Sequence, residues 1–263
     1  MSVSAAYPGT QAVSRAVALL KAFSDTQPEM GLTALARAAG LHKTTAHRLL
    51  AALEREGLVA HDGHDGTYRL GPEAIALGSR ALRATELRAV ARPELEALAR
   101  RTGETADLEI LDGGQVVVLD EAHGRFVIGT VLTVGMRWPA HATSTGKAML
   151  AYLTEDERSA ALPRRLATPT DKTIGDRETL RGELARVRER GYATQVEELE
   201  ENFVAVGAPV FNHEGRVVAA ISLGGLRARL TSDRIPEIAR LVRQAAERIS
   251  GRLGFRRQGE SKA

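Results

Sequence analysis

The chain has 263 residues, 36 Lys and Arg against 33 Asp and Glu, a formal net charge of +3 and no cysteine. At a sequence pI of about 9.4, bulk charge cannot carry nucleic-acid binding, and a local basic patch would have to do so. Structural disulfides and thiolate zinc sites are excluded. No apolar run approaches a membrane span, and the N-terminus has no signal-peptide core, so the expectation is a soluble, cytoplasmic protein with one small and one medium domain.

Residues 1–10 read as a flexible tail. From Gln11 onward, Val13, Ala16, Val17, Leu20 and Phe23 recur at helical spacing and predict a first helix. Arg15 lies off that stripe, where a phosphate contact and a plain surface role are equally open. Residues 31–59, GLTALARAAGLHKTTAHRLLAALEREGLV, then read as two helices at a tight turn. Leu32, Leu35, Ala36 and Ala39 mark the first, with Thr33 as its expected N-cap and Gly40 as its stop. The second runs from about Lys43 to Glu56 and is closed by Gly57.

On this second helix Ala46, Leu49, Leu50 and Leu53 form one apolar stripe, which fixes its inner face. At roughly 100° per residue, Thr44, His47 and Arg48 point the other way, with Lys43 and Thr45 on the flanks. A short, polar, basic face of this kind suits a recognition helix in a major groove. Taken alone, the two helices are also compatible with an ordinary solvated hairpin. The next residues favour the first reading. Leu58 to His61 and Thr67 to Leu70 flank a Gly/Asp turn and stop at Gly71-Pro72, which makes a β-hairpin and therefore a winged helix over 11–71. The wing offers Arg69 with His61 and His64 to the phosphate backbone. The candidate DNA-binding residues are Arg15, Thr33, Lys43, Thr44, Thr45, His47, Arg48 and Arg69.

Residues 72–102 read as a helical linker, with Pro72 at its first position and Pro93 bending or restarting it. Ile75, Leu77, Ala81 and Leu82 carry one apolar face, and Leu87, Val90, Leu95, Leu98 and Ala99 another. Arg80, Arg83, Arg88, Arg92, Arg100 and Arg101 stud its other faces. A linker apolar on two sides needs a partner, and dimerisation through it is the natural solution.

From Gly103 the pattern changes to strands. Thr105 to Leu111 and Gln115 to Glu121 flank Asp112-Gly113-Gly114 as a hairpin, and Phe126 to Val134 is a third strand. Helices are expected over 143–153, 155–162 and 176–190, strands over 204–211 and 217–223, and a helix over 231–253 capped by Thr231 or Ser232. The acidic run Glu197 to Glu201 reads as a solvated loop. The fold class is α+β, with an antiparallel sheet and helices over 103–254 and a short tail over 255–263.

The order of SRAVALLKAF, LTALARAAGLHKTTAHRLLAALEREGLV, YRLG, PAHATSTGKAMLAYL, RERGYA and GAPVFNHEGRVVAAISLGG resembles the IclR family of bacterial transcription regulators over nearly the whole chain. The resemblance implies a winged helix-turn-helix, a helical linker and a C-terminal GAF/PAS-like effector-binding domain. It implies a homodimer that pairs as a dimer of dimers, binds a double-stranded DNA operator and answers to a small carboxylic or aromatic acid, most often as a repressor.

By position in that pattern the effector pocket takes Ser144, Thr145, Gln195, Phe203, Ala205, Ser222 and Gly224, with Thr130 and Trp138 nearby. Ser144 and Thr145 open a helix, where free N–H groups favour an anion, while simple capping is an equal alternative. Relatives that bind small keto acids carry an acid where this chain has Gln195, and Ser-x-Ser where it has Ser222-Leu223-Gly224. Trp138 and Phe203 in place of a lost hydroxyl suggest a larger, more apolar ligand.

Catalysis finds little support. Ser144-Thr145-Gly146-Lys147 matches a Ser-x-x-Lys pattern, but its companion motifs fail at Ser232-Asp233-Arg234 and Lys172-Thr173-Ile174. Neither a nucleophile elbow nor a P-loop is present. His123, His141 and His213 lack metal-ligand spacing, so neither a metal nor a cofactor is expected. The alternative is a small-molecule enzyme carrying an accessory DNA-binding module.

Overall fold

The computed structural model describes residues 10–24, 26–63, 65–83, 86–126 and 134–256. The chain divides into two compact units, Met1–Ala84 and Thr85–Ala263. In the first, α1 (Gln11–Leu20), α2 (Leu32–Ala38) and α3 (Lys43–Arg55) pack with β1 (Glu29–Gly31), β2 (Val59–Asp62) and β3 (Thr67–Leu70), antiparallel in the order β1-β3-β2. This is a winged helix-turn-helix. Its core joins Leu19, Met30, Leu35, Ala46, Leu50, Leu53, Val59 and Tyr68.

Both ends of the helix-turn-helix are closed by the same device. Gly40 has φ +64 and Leu41 N donates to Ala36 O at 2.8 Å, while Gly57 has φ +70 and Leu58 N donates to Leu53 O at 2.9 Å. Two local expectations change. Gly31, held in β1 opposite Thr67, takes the N-cap position of α2, which leaves Thr33 exposed as a helical residue and not a cap. The inner face of α1 is turned toward Leu19, with Ala16, Leu20 and Phe23 beside it; Val13 and Val17 are 64% and 40% exposed.

The segment 72–102 is two helices. α4 (Pro72–Arg83) joins the first unit through Glu73 N, which donates to Gly57 O at 3.0 Å. α5 (Glu86–Thr102) belongs to the second unit and continues through Pro93. Burial of Leu87, Ala91, Leu95 and Leu98 along one face offsets the hydrogen bond that the proline removes.

The second unit is built on a six-stranded antiparallel sheet of β4 (Thr105–Asp112), β5 (Gln115–Ala122), β6 (Arg137–Pro139), β7 (Ala193–Val196), β8 (Phe203–Phe211) and β9 (Val217–Leu226), in the order β6-β5-β4-β9-β8-β7. One face carries Ala106, Leu108, Val204, Val206, Ile221 and Leu223 against α5 and α9 (Ile235–Arg252). The other is covered by α6 (Ser144–Leu150), with α7 (Glu155–Ala161) and α8 (Arg177–Arg190) beyond. No helix among the described residues is long and apolar enough to cross a membrane.

Of the strand expected over 126–134, Phe126 and Val134 are not in a strand and residues 127–133 lie outside the described residues. The outer partner of β5 is β6, eleven residues after Phe126. The edge strand β7 was unforeseen, because four residues are too few to show a period. The last helix begins at Ile235 after a 3-10 turn, and Thr231 makes no capping bond.

Gly71 seals the wing onto the end of α3. A Cβ there would lie 2.2 Å from Gly57 O, whereas one on Gly63 would meet nothing within 4 Å. Gly71→Ala is therefore expected to destabilise the first unit by about 1–3 kcal/mol through overpacking, and Gly63→Ala to leave it nearly unchanged. Thermal unfolding of the two variants side by side measures the difference.

Candidate nucleic-acid interface and candidate ligand cavity

The inner stripe of α3 is buried at Ala46, Leu50 and Leu53, and Leu49 is half-buried. Lys43, Thr44, His47 and Arg48 are exposed together and Thr45 is half-buried. Among the described residues neither Lys43 nor Arg48 enters an ion pair, so both cations remain available to an anionic partner. Arg69 stands apart from them. It lies on β3 across from Glu29 and Ala60, next in sequence to the buried Tyr68, and lines a surface hollow with Phe23 and Pro28. His61 stacks on Tyr68 at 4.4 Å, which occupies its ring in packing, and His64 lies outside the described residues. Arg15 is half-buried on α1.

In the second unit, the face of the sheet beneath α6 closes around a small cavity. It is lined by Asp107 and Glu109 of β4, Trp138 of β6, Thr143, Ser144 and Thr145 at the start of α6, Gln195 of β7, Leu199 of the turn that follows it, Phe203 and Ala205 of β8, and Ser222 of β9. The structure thus brings together Trp138, Ser144, Thr145, Gln195, Phe203, Ala205 and Ser222. Gly224 lies beneath Phe203: a Cβ on it would come within 2.6 Å of the ring. The aromatic ring therefore fills the space that a serine at position 224 would need. Thr130 lies outside the described residues.

Thr143, not Ser144, caps α6, accepting from Gly146 N at 3.0 Å. Thr145 donates its hydroxyl to Glu109, so that hydroxyl is committed within the protein. Asp107 and Glu109 were missed from the sequence. Asp107 accepts from Ser222 Oγ at 3.2 Å. Burial, followed by the charges of Glu109 and Glu121, pushes the Asp107 carboxyl well above its ordinary range. Burial likewise raises Glu109 to about 7, against the opposing hydrogen bond from Thr145. Asp107 Oδ1, Trp138 Nε1 and both polar atoms of Gln195 are buried with no hydrogen-bond partner among the described residues. The cavity measures about 30 Å³, room for about one water molecule.

The C-terminal model for bacterial transcriptional regulators of the IclR type matches residues 79–251, and the IclR helix-turn-helix model matches residues 12–63. The chain belongs to the IclR family of bacterial transcriptional regulators. It is 36% identical over 94% of its length to the HTH-type transcriptional regulator XynR of Escherichia coli, of which the match covers 99%. It is 31% identical over 91% of its length to the transcriptional repressor IclR of the same organism, covering 89% of that protein. An IclR homologue from Microbacterium hydrocarbonoxydans complexed with 4-hydroxybenzoate superposes with a TM-score of 0.80 at 27% identity, over 92% of this chain and 98% of the other.

In this IclR-family regulator the acidic run expected to be a solvated loop is exposed at Glu200 and Glu201 but tied down at Glu197 and Glu198. Glu197 and Glu198 are 7% and 9% exposed. Glu197 binds Lys172 and Arg227 and accepts from Asn202 N at 3.1 Å. Those bonds hold its carboxyl at about 2, the one to Lys172 having the largest effect. Glu198 holds the buried Lys147 ammonium with both oxygens, at 2.6 and 2.7 Å. A run of like charges gives no sign of partners 25 to 51 residues away.

The raised Glu109 carboxyl links stability to pH. In the unfolded chain it ionises near 4.5, whereas the folded protein holds the proton up to about 7. Its stabilising contribution is therefore complete below pH 4.5 and is lost as pH rises to about 7. The loss should be of the order of 3 kcal/mol at most. Glu109→Gln should flatten this decline, read from urea-unfolding midpoints between pH 5 and 8; equal slopes in both proteins would contradict the assignment.

Proposed function

We propose that this regulator binds an inverted-repeat DNA operator as a homodimer through α3, acts as a repressor, and is released by a small organic effector held in the cavity of its C-terminal unit. One observation carries the DNA reading: the polar face of α3, with Lys43, Thr44, His47 and Arg48, is exposed and turned away from a buried stripe, and neither Lys43 nor Arg48 enters an ion pair among the described residues. Arg48 is the candidate for a bidentate contact to guanine, with Thr44, Thr45 and His47 beside it. Lys43 and Arg69 are assigned to phosphate, and Arg15 and Thr33 to the periphery. Dimerisation is supported by apolar side chains left exposed on the first unit: Val13 at 64%, Ile75 at 70% and Leu77 at 47%. Pairing into a dimer of dimers and a cytoplasmic location follow the family pattern.

For the effector, the nearest chemical guide is the 4-hydroxybenzoate bound by the Microbacterium homologue. An aromatic or other carboxylic acid of that size fits Trp138, Phe203 and Ala205 as apolar walls, with Ser144, Thr145, Gln195 and Ser222 as polar contacts. A space of about 30 Å³ cannot hold such a molecule, so binding must move Phe203 and Leu199 outward. That displacement separates a free from a liganded state, as effector control requires. Any effect of ligand on operator affinity is then matched by an equal effect of operator on ligand affinity.

No catalytic role is assigned. Lys147 of the Ser-x-x-Lys spacing is spent on its ion pair with Glu198, which favours a structural ammonium over a free base.

The test begins with footprinting on DNA flanking the protein's own gene, followed by binding to that site and to random DNA. Arg48→Ala should remove about 1–3 kcal/mol of discrimination. Lys43→Ala should weaken both complexes evenly and reduce the salt slope by about one. Full specificity in Arg48→Ala would overturn the assignment of α3, and a monomer by light scattering would overturn the inverted-repeat geometry.

A further inference from the structure

A second hollow lies in the C-terminal unit, where α9 meets the far end of β8. It encloses about 420 Å³, against about 30 Å³ for the cavity beneath α6. That volume falls in the range of small-molecule sites, roughly 300–1,000 Å³. Three rings wall it: Tyr152 meets Phe211 edge-on and Phe255 stacks on Phe211, each pair with centroids 5.0 Å apart. Arg243 and Glu247, one turn apart on α9, are the charged residues that line it, and their charged groups form a loose pair at 3.9 Å. Arg188 lays its guanidinium over Tyr152 at 5.4 Å, and Arg256 follows Phe255. Both are exposed, and among the described residues neither enters an ion pair. Cations therefore outnumber acids around the aromatic wall.

The backbone beside this hollow is closed to an added strand. β7 pairs with β8 only as far as Gly207, which leaves Ala208 to Phe211 at an edge on that side. Pro209 has no N–H to offer there, and the N–H of Phe211 goes to Ser250 Oγ at 3.0 Å. The occupant is therefore a compact molecule held by side chains. Small residues keep space for it. A Cβ on Gly251 would meet nothing within 4 Å, although almost any other residue would suit a helix better at that position.

We propose that this hollow is a second ligand site, and that it takes a nucleoside monophosphate. The base stacks against the wall formed by Tyr152 and Phe255, as bases do on aromatic side chains generally. Glu247 accepts from the ribose hydroxyls, the role a carboxylate plays in dinucleotide sites. The phosphate dianion lies on Arg243 with Arg188 beside it, since the planar guanidinium matches phosphate geometry. Each chemistry of the lining then has one counterpart in the ligand. A plain aromatic acid offers Glu247 no donor and brings the arginines a single negative charge. The site is separate from the cavity beneath α6 and does not rest on the reading of that cavity.

Calorimetry on the full chain tests it with four probes: adenosine monophosphate, adenosine, phenyl phosphate and inorganic phosphate. The nucleotide should bind about tenfold or more tighter than each of the other three. Arg243→Ala should weaken the nucleotide about tenfold and leave adenosine within about twofold. Gly251→Leu, checked for folding by circular dichroism, fills the hollow without touching a charge and should weaken both by about tenfold or more. Ala205→Leu, in the cavity beneath α6, should leave the nucleotide affinity unchanged, so the two sites succeed or fail separately. No binding of the nucleotide, or binding no tighter than phenyl phosphate or inorganic phosphate, would overturn the proposal. An affinity that survives both Arg243→Ala and Gly251→Leu would place the nucleotide elsewhere, on a basic face such as that of α3, and would overturn it as well.

Discussion

Backbone contact between β8 and the start of α6 governs the chemistry of the C-terminal unit. A Cβ on Gly207 would lie 2.8 Å from Ser144 C and 2.9 Å from Thr145 N, and one on Gly146 would lie 2.1 Å from Ala140 O. No other residue type permits so close an approach. The helix therefore sits directly on the sheet, and the side chains between them are cut off from water. Asp107, Glu109 and Gln195, at 2%, 5% and 1% exposure, bear the cost of that desolvation in the free protein.

The same layer constrains how the cavity beneath α6 could change shape. Phe203 begins β8 and packs over Gly224, while Leu199 belongs to the turn between β7 and β8. That turn is pinned at its start by Glu197, through Lys172 and Arg227, and by the adjacent Glu198 on Lys147. Widening the cavity must work against these ion pairs. Closely packed layers with discrete side-chain arrangements respond by switching between states, because they cannot deform continuously.

In the first unit, division of labour on a single helix does the equivalent work. Ala46, Leu50 and Leu53 hold α3 against Leu19, Leu35 and Val59; Gly40 closes the helix before it and Gly57 closes α3 itself. With orientation and length both set, the four exposed residues from Lys43 to Arg48 have only one direction in which to face. Gly71 then ties the wing to the end of that helix.

Much of this was legible in the chain itself. The period of α3, the glycines that end α2 and α3, and the Asp112-Gly113-Gly114 hairpin are local signals, decided by residues within a few positions of one another. The family pattern supplied the set from Trp138 to Ser222 that now surrounds one cavity. Other features depended on which of two faces a neighbour covers. On α1 the stripe through Val13 and Val17 was as apolar as the one through Leu19, and only packing chose between them. On β4 the alternation of Ala106 and Leu108 with Asp107 and Glu109 reads as a half-solvated strand. The acids are buried because α6, some 35 residues later, is laid over them. Glu197 and Glu198 likewise found cations far along the chain. Periodicity along a chain identifies the residues that share a face; whether water or another element meets that face is settled only when distant segments pack together.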